Sequence, residues 1–121
     1  MLQPLRAWFG KPLPPGTPAP PFELPDQDGK PVRLADLRGG NVLLVFYPGD
    51  NTPGCRRQLC ELRDRWDLLL SRHTQVLGIN PQGPDSHRSF RGRNRYPFPL
   101  LVDQGKEVCR RYRAAGPITR R

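Results

Sequence analysis

With 121 residues, 36% of them hydrophobic, the chain is one domain at most and can bury only a small core. Its formal charge of +9 comes mainly from arginine, 17 Arg against 3 Lys, and a solvated basic face explains this more simply than a nucleic-acid site. No apolar run approaches the roughly 18 residues of a bilayer span, and residues 1–10 lack the apolar region of a secretory signal. A cytoplasmic protein is expected. Cysteines in that compartment are kept for reactivity or metal binding more often than for structural bridges.

Six prolines crowd residues 12–21, so residues 1–17 read as an extended arm and residues 18–121 as the domain. Phe22-Glu23-Leu24 and Val32-Arg33-Leu34 flank Asp26-Gln27-Asp28-Gly29-Lys30, whose Asp-Gly pair predicts a hairpin. Leu34 to Gly40 predicts a single helical turn stopped by glycine. Val42 to Tyr47 is continuously apolar and predicts a strand buried on both faces. Leu59, Leu62, Trp66, Leu69 and Leu70 then recur at helical spacing, which predicts a helix over 54–72 with that stripe in the core.

Gln75 to Asn80 predicts a second buried strand. A turn follows, then a helix capped by Asp85 or Ser86 and running through His87 and Phe90 to about Arg95. Phe98 to Val102 predicts an edge strand, because Pro99 sits near its start. Residues 105–115 predict a last helix with Val108 and Tyr112 on one face. The alternation from residue 41 onward implies an α/β layer architecture.

The chemistry concentrates in Tyr47-Pro48-Gly49-Asp50-Asn51-Thr52-Pro53-Gly54-Cys55-Arg56-Arg57-Gln58-Leu59-Cys60. Cys55 falls in a first helical turn, where unpaired amides, the helix dipole and the adjacent arginines favour a thiolate. Taken alone, that position fits a nucleophile and an inert buried thiol equally well. On an α-helix, positions 55 and 60 stand roughly 9 Å apart at Cα, beyond the limit of about 6.8 Å for a disulfide. A bond between them requires the helix start to unwind. Zinc is not expected: the C-x4-C spacing is marginal, and Cys109, His73 and His87 are widely separated. Cys109, beside Val108, is expected to be a core residue.

Pro48-x-x-x-Thr52-x-x-Cys55 resembles the peroxidatic-cysteine signature of peroxiredoxins. Thr52-Pro53-Gly54-Cys55, with Cys60 and then Arg63-Asp64, resembles their bacterioferritin-comigratory, or Q-type, branch. Pro18 to Gly29, Ser86-His87-x-x-Phe90 and Pro97 to Asp103 are similar to other parts of that family. The resemblance implies a thioredoxin-like fold, a mixed sheet flanked by helices, with the C-terminal strands and helix of the family missing. It implies reduction of hydrogen peroxide and organic hydroperoxides without a cofactor. Cys55 would become a sulfenic acid, Cys60 would resolve it to an intramolecular disulfide, and a thioredoxin-type reductant would reopen it. Thr52 would orient sulfur and peroxide, and Pro48 would shield the pocket. Arg121, with Arg120 next, would be the catalytic arginine. A monomer is expected. The family's residue after the peroxidatic cysteine is usually Thr and the third after it acidic; here Arg56 and Gln58 stand there. The first change favours a thiolate, and the second removes a carboxylate from the arginine's network.

Overall fold

The computed structural model describes residues 13–114. Three strands form a parallel sheet in the order β3 (Asn41–Phe46), β4 (Thr74–Asn80), β5 (Leu100–Val102). A separate antiparallel hairpin pairs β1 (Glu23–Pro25) with β2 (Pro31–Arg33), and a 3₁₀ turn at Leu34–Leu37 leads into β3. Helices α1 (Pro53–Asp64) and α2 (Trp66–Ser71) join β3 to β4, and α3 (Pro84–Asn94) joins β4 to β5. A 3₁₀ turn at Gln104–Lys106 and α4 (Glu107–Arg111) follow.

Strand alternation sends successive residues to two cores. Val45, Tyr47, Val76 and Leu100 face Leu59, Phe90, Tyr96 and Phe98 on the side of α1, α2 and α3. Leu77, Ile79 and Leu101 face Phe22, Val108 and Cys109 on the side of the hairpin and α4. An aromatic chain braces the first core, with Tyr96 stacked on Phe98 at 5.2 Å and edge-on to Phe90 at 5.3 Å. β4 has no room to spare. A Cβ on Gly78 would stand 2.7 Å from Leu100 Cδ2 and 3.2 Å from Tyr47 Cε1. Gly78→Ala is therefore expected to destabilise the fold by ~1–3 kcal/mol through overpacking, read by urea denaturation.

The hairpin is stitched to the sheet through its tip. The Asp26 carboxylate accepts the amides of Asp28 (2.8 Å) and Lys30 (2.9 Å), and Gly29 takes φ 82° to close the turn. The neighbouring Gln27 accepts the Leu100 amide at 3.1 Å, which covers part of the β5 edge. Among the described residues β5 is an edge strand, as its proline suggests, and it begins just after Pro99.

Four expectations are corrected. β3 is only half-buried, with Leu43 38% exposed, because among the described residues it pairs with β4 alone. A groove of about 590 Å³ runs between it and Gln58, Glu61, Leu62 and Arg65 of the helix segment. The helix expected over 54–72 breaks at Arg65 (φ −104°, ψ 21°), whose amide caps the carbonyls of Glu61 and Leu62. That break sets Trp66 against Phe98 at 5.9 Å and leaves Leu70 53% exposed rather than in the core. α3 starts earlier than its polar residues suggest. Gly83 is its N-cap and Pro84 its first residue, so neither Asp85 nor Ser86 caps it.

The last helix is also shorter than expected, because Gly105 (φ 83°) and Lys106 (φ 62°) hold a kinked turn before it. Buried Asp103 supplies its cap from outside, accepting the amides of Val108 at 3.2 Å and Cys109 at 2.9 Å.

Candidate active site

The segment 47–52 leaves the C-terminal end of β3, the end at which open α/β sheets place ligands. The Tyr47 amide still donates to Ile79 O at 3.2 Å, and Asn51 then takes φ 68°, a left-handed turn that asparagine tolerates. Thr52 is the N-cap of α1. Its carbonyl accepts the Arg56 amide at 2.9 Å, its hydroxyl donates to Gly49 O at 3.1 Å, and Pro53 opens the helix. Position 55 is the third residue of α1, inside the turn whose amides lack intrahelical acceptors. The structure thus gathers Pro48, Thr52 and the backbone of Cys55 at one helix start, with Pro48 and Thr52 exposed. The Cys55 side chain, Arg120 and Arg121 lie outside the described residues.

Beneath this turn lies a polar centre that the sequence did not single out. Asp50 is buried, and its carboxylate accepts four hydrogen bonds, two at each oxygen. Tyr47 Oη (2.8 Å) and Asn80 Nδ2 (3.2 Å) donate to Oδ1. Ser86 Oγ (2.7 Å) and His87 Nδ1 (2.7 Å) meet Oδ2. His87 is fully buried, and its Nε2 lies 2.9 Å from Leu101 O.

A carbonyl can only accept, and an ionised carboxylate can only accept. The imidazole therefore donates from both nitrogens and forms a buried ion pair with Asp50. Burial pushes the Asp50 carboxyl up, but the hydrogen bonds from His87, Ser86 and Tyr47 and the charge on His87 hold it below its ordinary value. Gln82 accepts the Asp50 amide and donates to Ser86 Oγ at 3.2 Å, closing the ring of bonds. The turn 47–52 is thus fastened at once to β4 and to α3. The only sequence signal for this centre is the pair Ser86-His87, which the family resemblance contained.

Cys60 lies on another side of α1. Its position is rotated by about 140° around the helix axis from position 55. Its sulfur stands 3.5 Å from Tyr96 Oη and 3.7 Å from Asn94 Oδ1. Burial, then the bond to Cys60, pushes the Tyr96 phenol up, so it stays neutral beside the sulfur, and its hydroxyl also reaches Arg56 O at 3.4 Å. Cys109 is a core residue, as expected: burial, helped by Asp103, pushes its thiol up to about 12. Among the described residues no His/Cys/Asp/Glu group could hold a metal ion, and no helix is long and apolar enough to cross a membrane.

The AhpC/TSA family profile matches residues 15–120. The chain belongs to that family. Peroxiredoxin Q of Sedum lineare chloroplasts is 41% identical over 93 residues, covering 77% of this chain and 50% of the relative. A putative peroxiredoxin of Mycobacterium tuberculosis is 43% identical over 104 residues, covering 86% and 66%. Among solved structures, peroxidoxin BcpB from Mycobacterium tuberculosis superposes with a TM-score of 0.75 at 34% identity, covering 78% of this chain and 62% of that one. The chain spans about half to two-thirds of the length of these relatives. The thioredoxin-like peroxiredoxin fold expected from the resemblance is therefore the fold observed, and the Q-type branch supplies the relatives.

Proposed function

We propose that the chain carries the reaction centre of a thiol peroxidase. The observation that carries this reading is the helix start at Thr52–Cys55, held on the Asp50–His87 pair, in a chain of the AhpC/TSA family. The Cys55 thiolate attacks the nearer oxygen of a hydroperoxide, the O–O bond breaks, and an alkoxide or hydroxide leaves and takes a proton from solvent. Cys55 is then a sulfenic acid. The Cys60 thiol displaces its hydroxyl as water, forming a Cys55–Cys60 disulfide, which a dithiol of the thioredoxin type reduces by exchange. The first-turn amides and the guanidinium groups of Arg56 and Arg57 support the thiolate. Pro48 shields the pocket and Arg121, with Arg120 as the alternative, steadies the peroxide.

The test is hydrogen peroxide consumption coupled to thioredoxin, its reductase and NADPH. Cys55→Ser is expected to lose at least ~1,000-fold of the rate, and Cys60→Ser to consume about one equivalent of peroxide and then stall. A wild-type chain no faster than Cys55→Ser would defeat the proposal.

A further inference from the structure

A second chemically loaded place lies on the face of α1 that carries Cys60. A cavity of about 400 Å³ is lined by Pro53, Arg56, Arg57, Cys60, Arg63 and Asn94. Its size falls in the range of small-molecule pockets, ~300–1,000 Å³. Three guanidinium groups and one thiol share the wall, and the lining contains no carboxylate. Arg63 is held in place, with Nη1 donating to Asn94 O at 2.7 Å and Nε to Asp64 at 3.0 Å. Arg56 and Arg57 are exposed and enter no ion pair among the described residues.

The sulfur of Cys60 has polar neighbours of its own. Tyr96 Oη lies 3.5 Å from it and 3.4 Å from Arg56 O, and Arg63 stands on the same cavity wall. The place therefore combines a half-buried thiol with two arginines that enter no ion pair among the described residues, in one cavity.

We propose that this cavity is a thiolation site, where Cys60 exchanges with the disulfide form of a low-mass thiol bearing carboxylates. The Cys60 thiol gives its proton to solvent, and its thiolate attacks one sulfur of the incoming disulfide. The S–S bond breaks, a new bond joins Cys60 to that sulfur, and the departing thiolate is protonated by solvent. One disulfide is consumed and one is formed, so the electrons balance. The carboxylates of the retained half pair with Arg56 and Arg57, in the geometry that guanidinium groups favour. Under the peroxidase reading, a capped Cys60 can no longer resolve Cys55, while the helix start at position 55 remains open. Thiolation would then stop the cycle after the sulfenic acid.

The test uses Cys55→Ser protein, so its outcome does not depend on whether the chain turns over peroxide. The remaining thiols are Cys60 and the buried Cys109. Glutathione disulfide, which is anionic, is compared with cystamine, which is cationic. Adducts are followed by intact mass and peptide mapping, and each rate is divided by the rate for the urea-unfolded chain to remove intrinsic reactivity. At low salt the anionic disulfide is expected to be favoured about ten-fold at Cys60, with the preference shrinking as salt is added. In Arg56→Gln/Arg57→Gln protein the ratio should fall close to one. A ratio of one or below in the parent protein, an adduct confined to Cys109, or a preference that ignores both arginines would each overturn the proposal.

Discussion

Replacing His87 with alanine is expected to lower the unfolding free energy by about 3–5 kcal/mol, the usual consequence of removing one member of a buried ion pair. The cause is what remains. Asp50 keeps a charge that His87 alone neutralises, at a site where both side chains are fully buried. Tyr47, Asn80 and Ser86 still donate to the carboxylate, but none of them carries charge. Leu101 O would also lose its partner. Chemical denaturation measures the loss, and a double-mutant cycle with Asp50→Asn isolates the pair, since the two changes should cost clearly less together than the sum of each alone.

Acid should act through the same pair. Asp50 titrates below its ordinary value in the folded chain, so its contribution is complete above the unfolded value of about 3.9 and disappears as pH falls through the folded one. Stability of the parent protein should therefore drop more steeply below about pH 4 than that of Asp50→Asn. Parallel acid limbs, or a His87→Ala chain within 1 kcal/mol or so of the parent, would show that the pair does not fasten the turn.

The legible parts of the fold were those encoded locally. The apolar runs of β3 and β4, the Asp-Gly turn of the hairpin and the Pro99 boundary of β5 each announce themselves within a few residues. What escaped depends on partners far along the chain. Asp50 sits in a Pro-Gly segment, where aspartate usually serves the turn itself; here its partners Asn80 and His87 are 30 and 37 residues away. Ser86 had the look of a helix cap, but Pro84 claims the first helical position and frees the hydroxyl for Asp50. The break at Arg65 has no proline or glycine to mark it, and the Trp66 contact that goes with it is to Phe98, far along the chain. At the candidate site, the Thr-Pro-Gly-Cys stretch was readable as a helix start because each residue suits its capping position, whereas the walls around Cys60 come from Asn94 and Tyr96.

Peroxide treatment of the reduced chain is expected to raise tryptic cleavage after Arg56 and Arg57 by at least about ten-fold, with a loss of helical signal in circular dichroism. In the structure α1 is continuous from Pro53 to Asp64, so both cysteine positions lie on intact helix. Five residues of helix separate them by roughly 9 Å at Cα, and a disulfide tolerates at most about 6.8 Å. The helix must yield at one end, and its two ends are unequal. Leu59 is fully buried and Arg63 is tied to Asn94 O, which anchors the later turns. The first turn contains Gly54, and Thr52 gives its hydroxyl to Gly49 O rather than capping a helix amide. Opening should therefore run from Pro53 to about Gln58, carrying Cys55 toward a comparatively fixed Cys60 and freeing the backbone at the two exposed arginines between them for the protease. The disulfide would hold the cleaved pieces together until reductant is added. Cys60→Ser, treated in the same way, should keep its helix and resist the protease. If the oxidised parent contained the disulfide yet matched the reduced chain in helicity and cleavage, a route to the bond without unwinding would have to exist, and the helix geometry would no longer govern resolution.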